Sequence, residues 1–295
     1  MQNMTDLIHT FPDDNLHVAD LPYRFSSWAL DVAENGQLWL DDTGNVRAWA
    51  VMQTPFWTID YACHPDFERE LHPQILAWAD QRAQQAVGTA AGRPIWFANV
   101  FVEQTARIRE LETAGFASQA DVGANSWTKV LMRHASPAAH TVSPPPAGFT
   151  IRPLAGASEV DAYVDLHRAA FESNSMTRDW RARTLQQPAY APDLDLVAVA
   201  PDGRLVGFCI GWLCTATSPV RGQIEPLGVH PDFHGLGLGR ALLTETVRRL
   251  FAHGAQAVYV ETDNYRDAAF ALYESVGFRV LHDVLVFRKD YAHEG

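Results

Sequence analysis

The tetrapeptide His-Pro-Asp-Phe occurs twice, at residues 64–67 and again at 230–233, and what surrounds each copy recurs in the same order. A short β-like run precedes each copy (57–63 and 222–229), and a helical pattern follows (68–86 and 238–253). Next come a short apolar strand (95–100 and 257–260) and a helix entering Gly115-Phe116 or Gly277-Phe278. Strand pairs near 127–132 and 284–287 close the halves. Ordered recurrence of this length implies an internal duplication, which restricts the chain to two units of like topology. The 295 residues suit two domains. The small-residue and Pro-rich stretch 135–148, with its triplet Pro144-Pro145-Pro146, reads as an extended linker between domains 1–134 and 149–295.

In the second half, strands are expected at 149–154, 194–200 and 204–213, the last two joined by the hairpin turn Pro201-Asp202-Gly203. Ser158 is a candidate N-cap for a helix to Phe171, and 176–187 is a second short helix. Strands mixed with crossover helices give an α/β class with mixed sheets flanked by helices, one per half. The first half shows no clear first strand.

Composition narrows the partners. Formal net charge is −12, which disfavours nucleic acid and anionic membrane surfaces and suits a cationic small substrate. No apolar run is long enough for a transmembrane helix, and the N-terminus does not read as a signal peptide. Cys63, Cys209 and Cys214 are too few for a disulfide framework, so a cytoplasmic setting is expected. No metal site is expected: Cys209 and Cys214 read as small core residues, and His230 and His234 flank a non-helical Pro-Asp-Phe.

The chemistry concentrates in Val229-His-Pro-Asp-Phe-His-Gly-Leu-Gly-Leu-Gly-Arg240. A strand ends, a glycine-rich turn follows, and an amphipathic helix begins. Glycines let backbone N–H groups approach an anion, and the helix N-terminus adds free donors and its positive dipole end. Arg240 can add a charge-assisted contact. A dinucleotide fold would need G-x-G-x-x-G in its first βα unit, whereas Gly235, Gly237 and Gly239 alternate. A G-x-x-x-x-G-K-[ST] P-loop is absent from the sequence.

The segment His234-Gly-Leu-Gly-Leu-Gly239 resembles the Q/R-x-x-G-x-G/A motif of the GNAT superfamily of acyl-CoA-dependent N-acetyltransferases, with His in place of Gln or Arg. Val260-Glu-Thr-Asp-Asn264, then Leu272-Tyr273 and Gly277-Phe278, are similar to that family's next motif. The resemblance is strong over 194–290 and reaches back to 149. It implies two tandem GNAT-like domains, acetyl-CoA as co-substrate and a small-molecule primary amine as acceptor. The tandem arrangement and length resemble the mycothiol synthase group. By the resemblance, Leu227 and Val229 offer backbone groups to the pantetheine arm. His234, Gly235, Leu236, Gly237, Leu238, Gly239 and Arg240 surround the pyrophosphate, and Asn264 holds the arm. Glu225, on the strand before the turn, is the candidate general base, and Tyr273 the general acid. His167, Glu172, segment 171–190 and loop 214–221 border the acceptor side. A non-catalytic acyl-CoA binder and an acetyltransferase acting on a protein amine are the alternatives. Both monomer and homodimer remain open.

In the first half, extending the tetrapeptide alignment without gaps sets residues 68–73 against 234–239, so all three glycines are missing. Aligned on Gly-Phe, Val102 falls at Asn264 and Leu111 at Tyr273. The first half is therefore expected to be a degenerate domain without the cofactor motif, packed so as to shape the acceptor site.

Overall fold

Both copies of the tetrapeptide fold into the same turn. The backbone of His64 and of His230 is extended, each ring Nδ1 accepts the N–H of the Asp two residues on at 3.2 Å, and proline opens the following 3-10 turn. The Phe ring stands edge-on to the His ring at 5.6 Å in one copy and 5.9 Å in the other. A computed structural model describes residues 2–135, 141–264 and 267–291; residues 136–140 of the expected linker lie outside that set.

The first half runs α1 (Gln2–Thr10), α2 (Leu21–Phe25), β1 (Gly36–Leu40), β2 (Val46–Gln53), β3 (Thr58–Cys63) and α3 (Glu68–Ala86). It ends with β4 (Ile95–Phe101), α4 (Thr105–Thr113), β5 (Ala117–Ser118) and β6 (Thr128–His134). The second half runs β7 (Thr150–Pro153), α5 (Val160–Phe171), α6 (Arg178–Thr184), β8 (Asp195–Val199) and β9 (Leu205–Cys214). Then follow β10 (Arg221–Val229), α7 (Leu238–Ala252), β11 (Ala257–Asp263), α8 (Asp267–Val276) and β12 (Arg279–Asp290). The first half has no counterpart of β7 among the described residues.

The strands form one mixed sheet in the order β1-β2-β3-β4-β12-β6-β11-β10-β9-β8-β7, with β5 also paired to β12. Among the described residues only β3–β4 and β10–β11 are parallel. The closing strands are exchanged. β6 of the first half lies between β11 and β12 of the second, and β12 lies against β4 of the first. One core likewise draws Leu7, Leu21 and Trp49 together with Tyr163, Trp180 and Trp212.

Two local expectations are corrected. Residues 156–159 form a 3-10 turn rather than an N-cap, because the Glu159 carboxylate is anchored by Arg152 at 2.6 Å and the Ala155 N–H at 2.7 Å; Ser158 Oγ donates to the Ala155 carbonyl. The ungapped alignment also fails after the tetrapeptide. Helix α3 starts directly at Glu68, whereas residues 234–237 intervene before α7 starts at Leu238. The glycine turn is thus an inserted feature, not a substituted one.

Candidate active site

Strand β10 pairs with β11 only at residues 221–223, after which the two diverge. On its other side β10 stays paired with β9, with a register shift that leaves Glu225 and Pro226 outside the ladder. From residue 224 onward β10 thus has a strand neighbour on one side only. Backbone donors and acceptors on the open side need a partner, and an extended ligand can supply it. Leu227 and Val229 lie in this stretch. The Val229 carbonyl already accepts from His234 Nε2 at 2.9 Å, so the His ring ties the strand end to the glycine turn.

That turn has the geometry of an anion cradle. Gly235 and Gly237 have φ of +76° and +87°, a region that side chains disfavour, and a Cβ at either would meet no atom within 4 Å. Residues 234–237 are exposed, and α7 follows directly. Leu238, Leu242, Val247 and Leu250 bury the other face of α7, each contributing roughly 1.5–3 kcal/mol. The first N–H groups of a helix have no intrahelical acceptor. Gly239 and Arg240 belong to that first turn, and the Arg240 guanidinium is steadied on α8 by Ser275 Oγ at 2.5 Å. Space, donors and dipole fit a pyrophosphate.

Asn264 has a structural task. Its Oδ1 accepts the Thr128 N–H at 3.1 Å and its own N–H donates to the Thr128 carbonyl at 2.9 Å, closing the β6–β11 pair.

The divergence of β10 and β11 opens a cavity of about 350 Å³, and Glu225, Leu227 and Tyr273 all line it. Burial pushes the Glu225 carboxyl up to about 7; repulsion from Asp20 and Glu261 adds to this, and Arg24 and His17 offset part of it. Glu261 behaves oppositely. Burial opposes its ionisation, but Lys129 at 2.5 Å, with His17 and Arg24, holds it down at about 2. His17 bridges the two acidic sites, with Nδ1 2.8 Å from Asp20 and Nε2 3.6 Å from Glu261.

Sequence reasoning missed most of the cavity wall. His17, Tyr23, Arg24, Phe56 and Lys129, all from the first half, line the cavity. No motif marks them; only the rarity of lysine (Lys129 is one of two) and the alternation of Glu261 and Asp263 on one strand face were signals. Of the residues expected on the acceptor side, His167, Phe171 and Trp180 line this cavity, while Glu172 and loop 214–221 do not. The wall is fixed by bonds between halves: Trp180 Nε1 to the Tyr23 carbonyl at 3.0 Å, Trp28 Nε1 to the Ser175 carbonyl at 2.9 Å, and Arg183 Nε to the Ser26 carbonyl at 2.9 Å.

The corresponding cleft of the first half is narrow. β3 and β4 share a single pair, Thr58 with Phe97. Residues 14–17 line the cleft together with Tyr61, Asn99 and Val100, around a void of about 50 Å³. The Asp14 carbonyl accepts from Gln104 Nε2 at 2.9 Å and Arg107 Nη1 at 3.0 Å, and Arg107 also pairs with Glu68.

Among the described residues no group of three or more His, Cys, Asp or Glu side chains is arranged to hold a metal ion, and no helix is long and apolar enough to cross a membrane.

Comparison with known proteins bears on the second half. The model of the acetyltransferase (GNAT) family matches residues 160–278. Mycothiol acetyltransferase of Paenarthrobacter aurescens is 35% identical over 144 residues, 45% of this chain and 43% of the relative. That of Kineococcus radiotolerans is 38% identical over 138 residues, again 45% and 43%. The chain therefore spans less than half the length of these relatives. Whole-chain likeness extends to solved structures. A GCN5-related N-acetyltransferase from Sphaerobacter thermophilus superposes with a TM-score of 0.67 at 22% identity, covering 89% of this chain and 83% of that one. A tandem GNAT protein from the clavulanic acid biosynthesis pathway gives 0.66 at 16% identity, covering 100% and 95%. At these identities the superpositions establish the fold.

Proposed function

We propose, from the premise that residues 160–278 form a domain of the acetyltransferase (GNAT) family, that this chain transfers an acetyl group from acetyl-CoA to a small-molecule primary amine, at one site per chain. The observation that carries the reading is that Glu225 and Tyr273 line one cavity, at the divergence of the strand that leads into the glycine turn. In this reading residues 149–295 are the catalytic domain, 135–148 the linker, and 1–134 a degenerate domain whose own cleft is narrowed to a void lined by residues 14–17.

Acetyl-CoA supplies the acetyl group as a thioester. The turn 235–240 holds its pyrophosphate through backbone N–H groups and Arg240; the open side of Leu227 and Val229 receives the pantetheine arm. The Nδ2 of Asn264 is assigned to the arm, its Oδ1 being committed to β6. Glu225 takes the proton from the acceptor ammonium or from the attacking nitrogen, a role that a carboxyl titrating near neutrality fills at pH 7. Tyr273 gives a proton to the departing thiolate.

Calorimetric titration of the full chain with acetyl-CoA tests the cradle, with thiol release from an amine panel as the catalytic readout. One site per chain is expected, and Tyr273→Phe should cut turnover while leaving the titration unchanged. No binding, or two sites, would refute the reading.

A further inference from the structure

The β2–β3 hairpin of the first half reaches across to the cavity of the second. Its loop, residues 54–57, is fixed at three points. The Phe56 N–H donates to the Gln53 carbonyl at 3.0 Å, Arg93 Nε to the Thr54 carbonyl at 3.2 Å, and the Phe97 N–H to the Trp57 carbonyl at 2.9 Å. Trp57 has φ of +60°, a conformation that a residue with a side chain holds only where its surroundings over-determine it. The Trp57 ring is 38% exposed, with Arg93 lying over it at 5.6 Å, whereas the neighbouring Phe56 lines the cavity.

The Phe56 ring is held as firmly as its loop. The Arg24 guanidinium covers it at 4.2 Å from the centroid. Arg24 is itself bound to Asp60 through Nε at 2.6 Å and Nη2 at 2.9 Å, and to Thr58 Oγ1 at 3.0 Å. Trp180 of the second half meets the Phe56 ring edge-on at 5.3 Å, and Tyr23 meets it at 6.3 Å. Trp180 and Tyr23 are each 1% exposed and are joined by the bond from Trp180 Nε1 to the Tyr23 carbonyl. Close-packed neighbours of this kind leave the Phe56 ring no direction in which to yield.

Resting on the acetyltransferase reading of this site, we infer that Phe56 is a specificity-determining residue, whose ring sets the bulk of the amine that fits beside Glu225. The residues assigned to acetyl-CoA all belong to the second half, so the first-half side chains lining the same cavity are left to meet the acceptor. Of these, His17, Arg24 and Lys129 are engaged with carboxylates, and Tyr23 is almost fully buried. Phe56 is the half-buried apolar member, and it offers a rigid surface. A wall that cannot move discriminates by overlap: an amine that fits gains contact, and one a ring larger must displace packed groups. Selection of the acceptor thus rests on a side chain delivered by the half that lacks the glycine turn.

The experiment is a size series on the full chain. Acetyl-CoA is first titrated calorimetrically into each protein, so that a failure of the cofactor reading registers there and not in the acceptor test. Thiol release is then measured at saturating acetyl-CoA for ethylamine, benzylamine and the para-phenyl derivative of benzylamine. In the unaltered chain kcat/KM should fall about tenfold or more from benzylamine to its para-phenyl derivative. Phe56→Ala should shrink that ratio about tenfold, and Phe56→Trp should penalise benzylamine against ethylamine, with acetyl-CoA affinity unchanged in both. Damage to the fold lowers all three amines together and does not move the ratios in opposite directions. Where Phe56→Ala fails to fold, Phe56→Leu carries the test in the same direction. Ratios that stay fixed in variants that bind acetyl-CoA, or no turnover across the series by unaltered protein that binds it, would overturn the inference.

Discussion

A carboxyl held out of water beside Asp20 and Glu261 gives up its proton less readily than one in solution, and Glu225 is in that position. The sign of the consequence is fixed. Below about 7 the group is protonated and cannot accept a proton; above it the base is ready. Activity should therefore climb with pH on a limb with an apparent pKa near 7, dropping about tenfold per unit on the acid side. Glu225→Gln should lower kcat/KM by about 10²–10⁴-fold and abolish that limb, with acetyl-CoA affinity unchanged. A limb that persists in the variant would take the base role away from Glu225. The residue's candidacy was legible in the sequence because strand, turn and helix are read in order there. Its elevated titration was only half legible: the apolar neighbours Ile224 and Leu227 pointed to burial, but Asp20 lies more than 200 positions away in a stretch without pattern.

Among the elements, the turn before α7 is the part most sensitive to substitution. Gly237 combines a left-handed backbone with an open space above it. Gly237→Ala would cost about 1 kcal/mol of backbone strain, whereas Gly237→Glu adds bulk and a negative charge where a pyrophosphate is to sit. Calorimetry should show acetyl-CoA binding abolished in Gly237→Glu while the thermal midpoint stays within a few degrees. Retained affinity would remove the cradle assignment. Helices α3 and α7 match their expected spans closely, because a buried face repeating every 3.6 residues is a local property. Segment 14–24 was not legible for the converse reason. Its residues fill shapes made by β3, β4 and the second half, and such complementarity leaves no period in the sequence.

For the whole molecule the exchanged strands decide what can be separated. A fragment beginning at residue 149 keeps the candidate base, acid and cradle, yet β11 loses its partner from Lys129 to His134 and β12 loses β4. It also loses the first-half side of a shared core. This fragment should fail to fold cooperatively, as judged by circular dichroism and gel filtration, and co-expression with residues 1–134 should restore a soluble complex. A folded fragment that binds acetyl-CoA by itself would show the exchange to be dispensable.

The exchange also sets where mutations can accumulate. On the proposed reading the first half carries no chemistry of its own, and such a half would ordinarily be free to drift or to be deleted. Here β6 completes the neighbouring sheet, and His17, Tyr23 and Arg24 line the cavity that also holds Glu225 and Tyr273. Tolerance to substitution should accordingly be lopsided within the first half. It should be high on the exposed face of β1, at Leu38 and Leu40, and low along β4, β6 and the 14–24 segment, as stringent there as at a catalytic residue. Dispensability in this protein should follow the path of the strands and not the boundary between the two halves of the sequence.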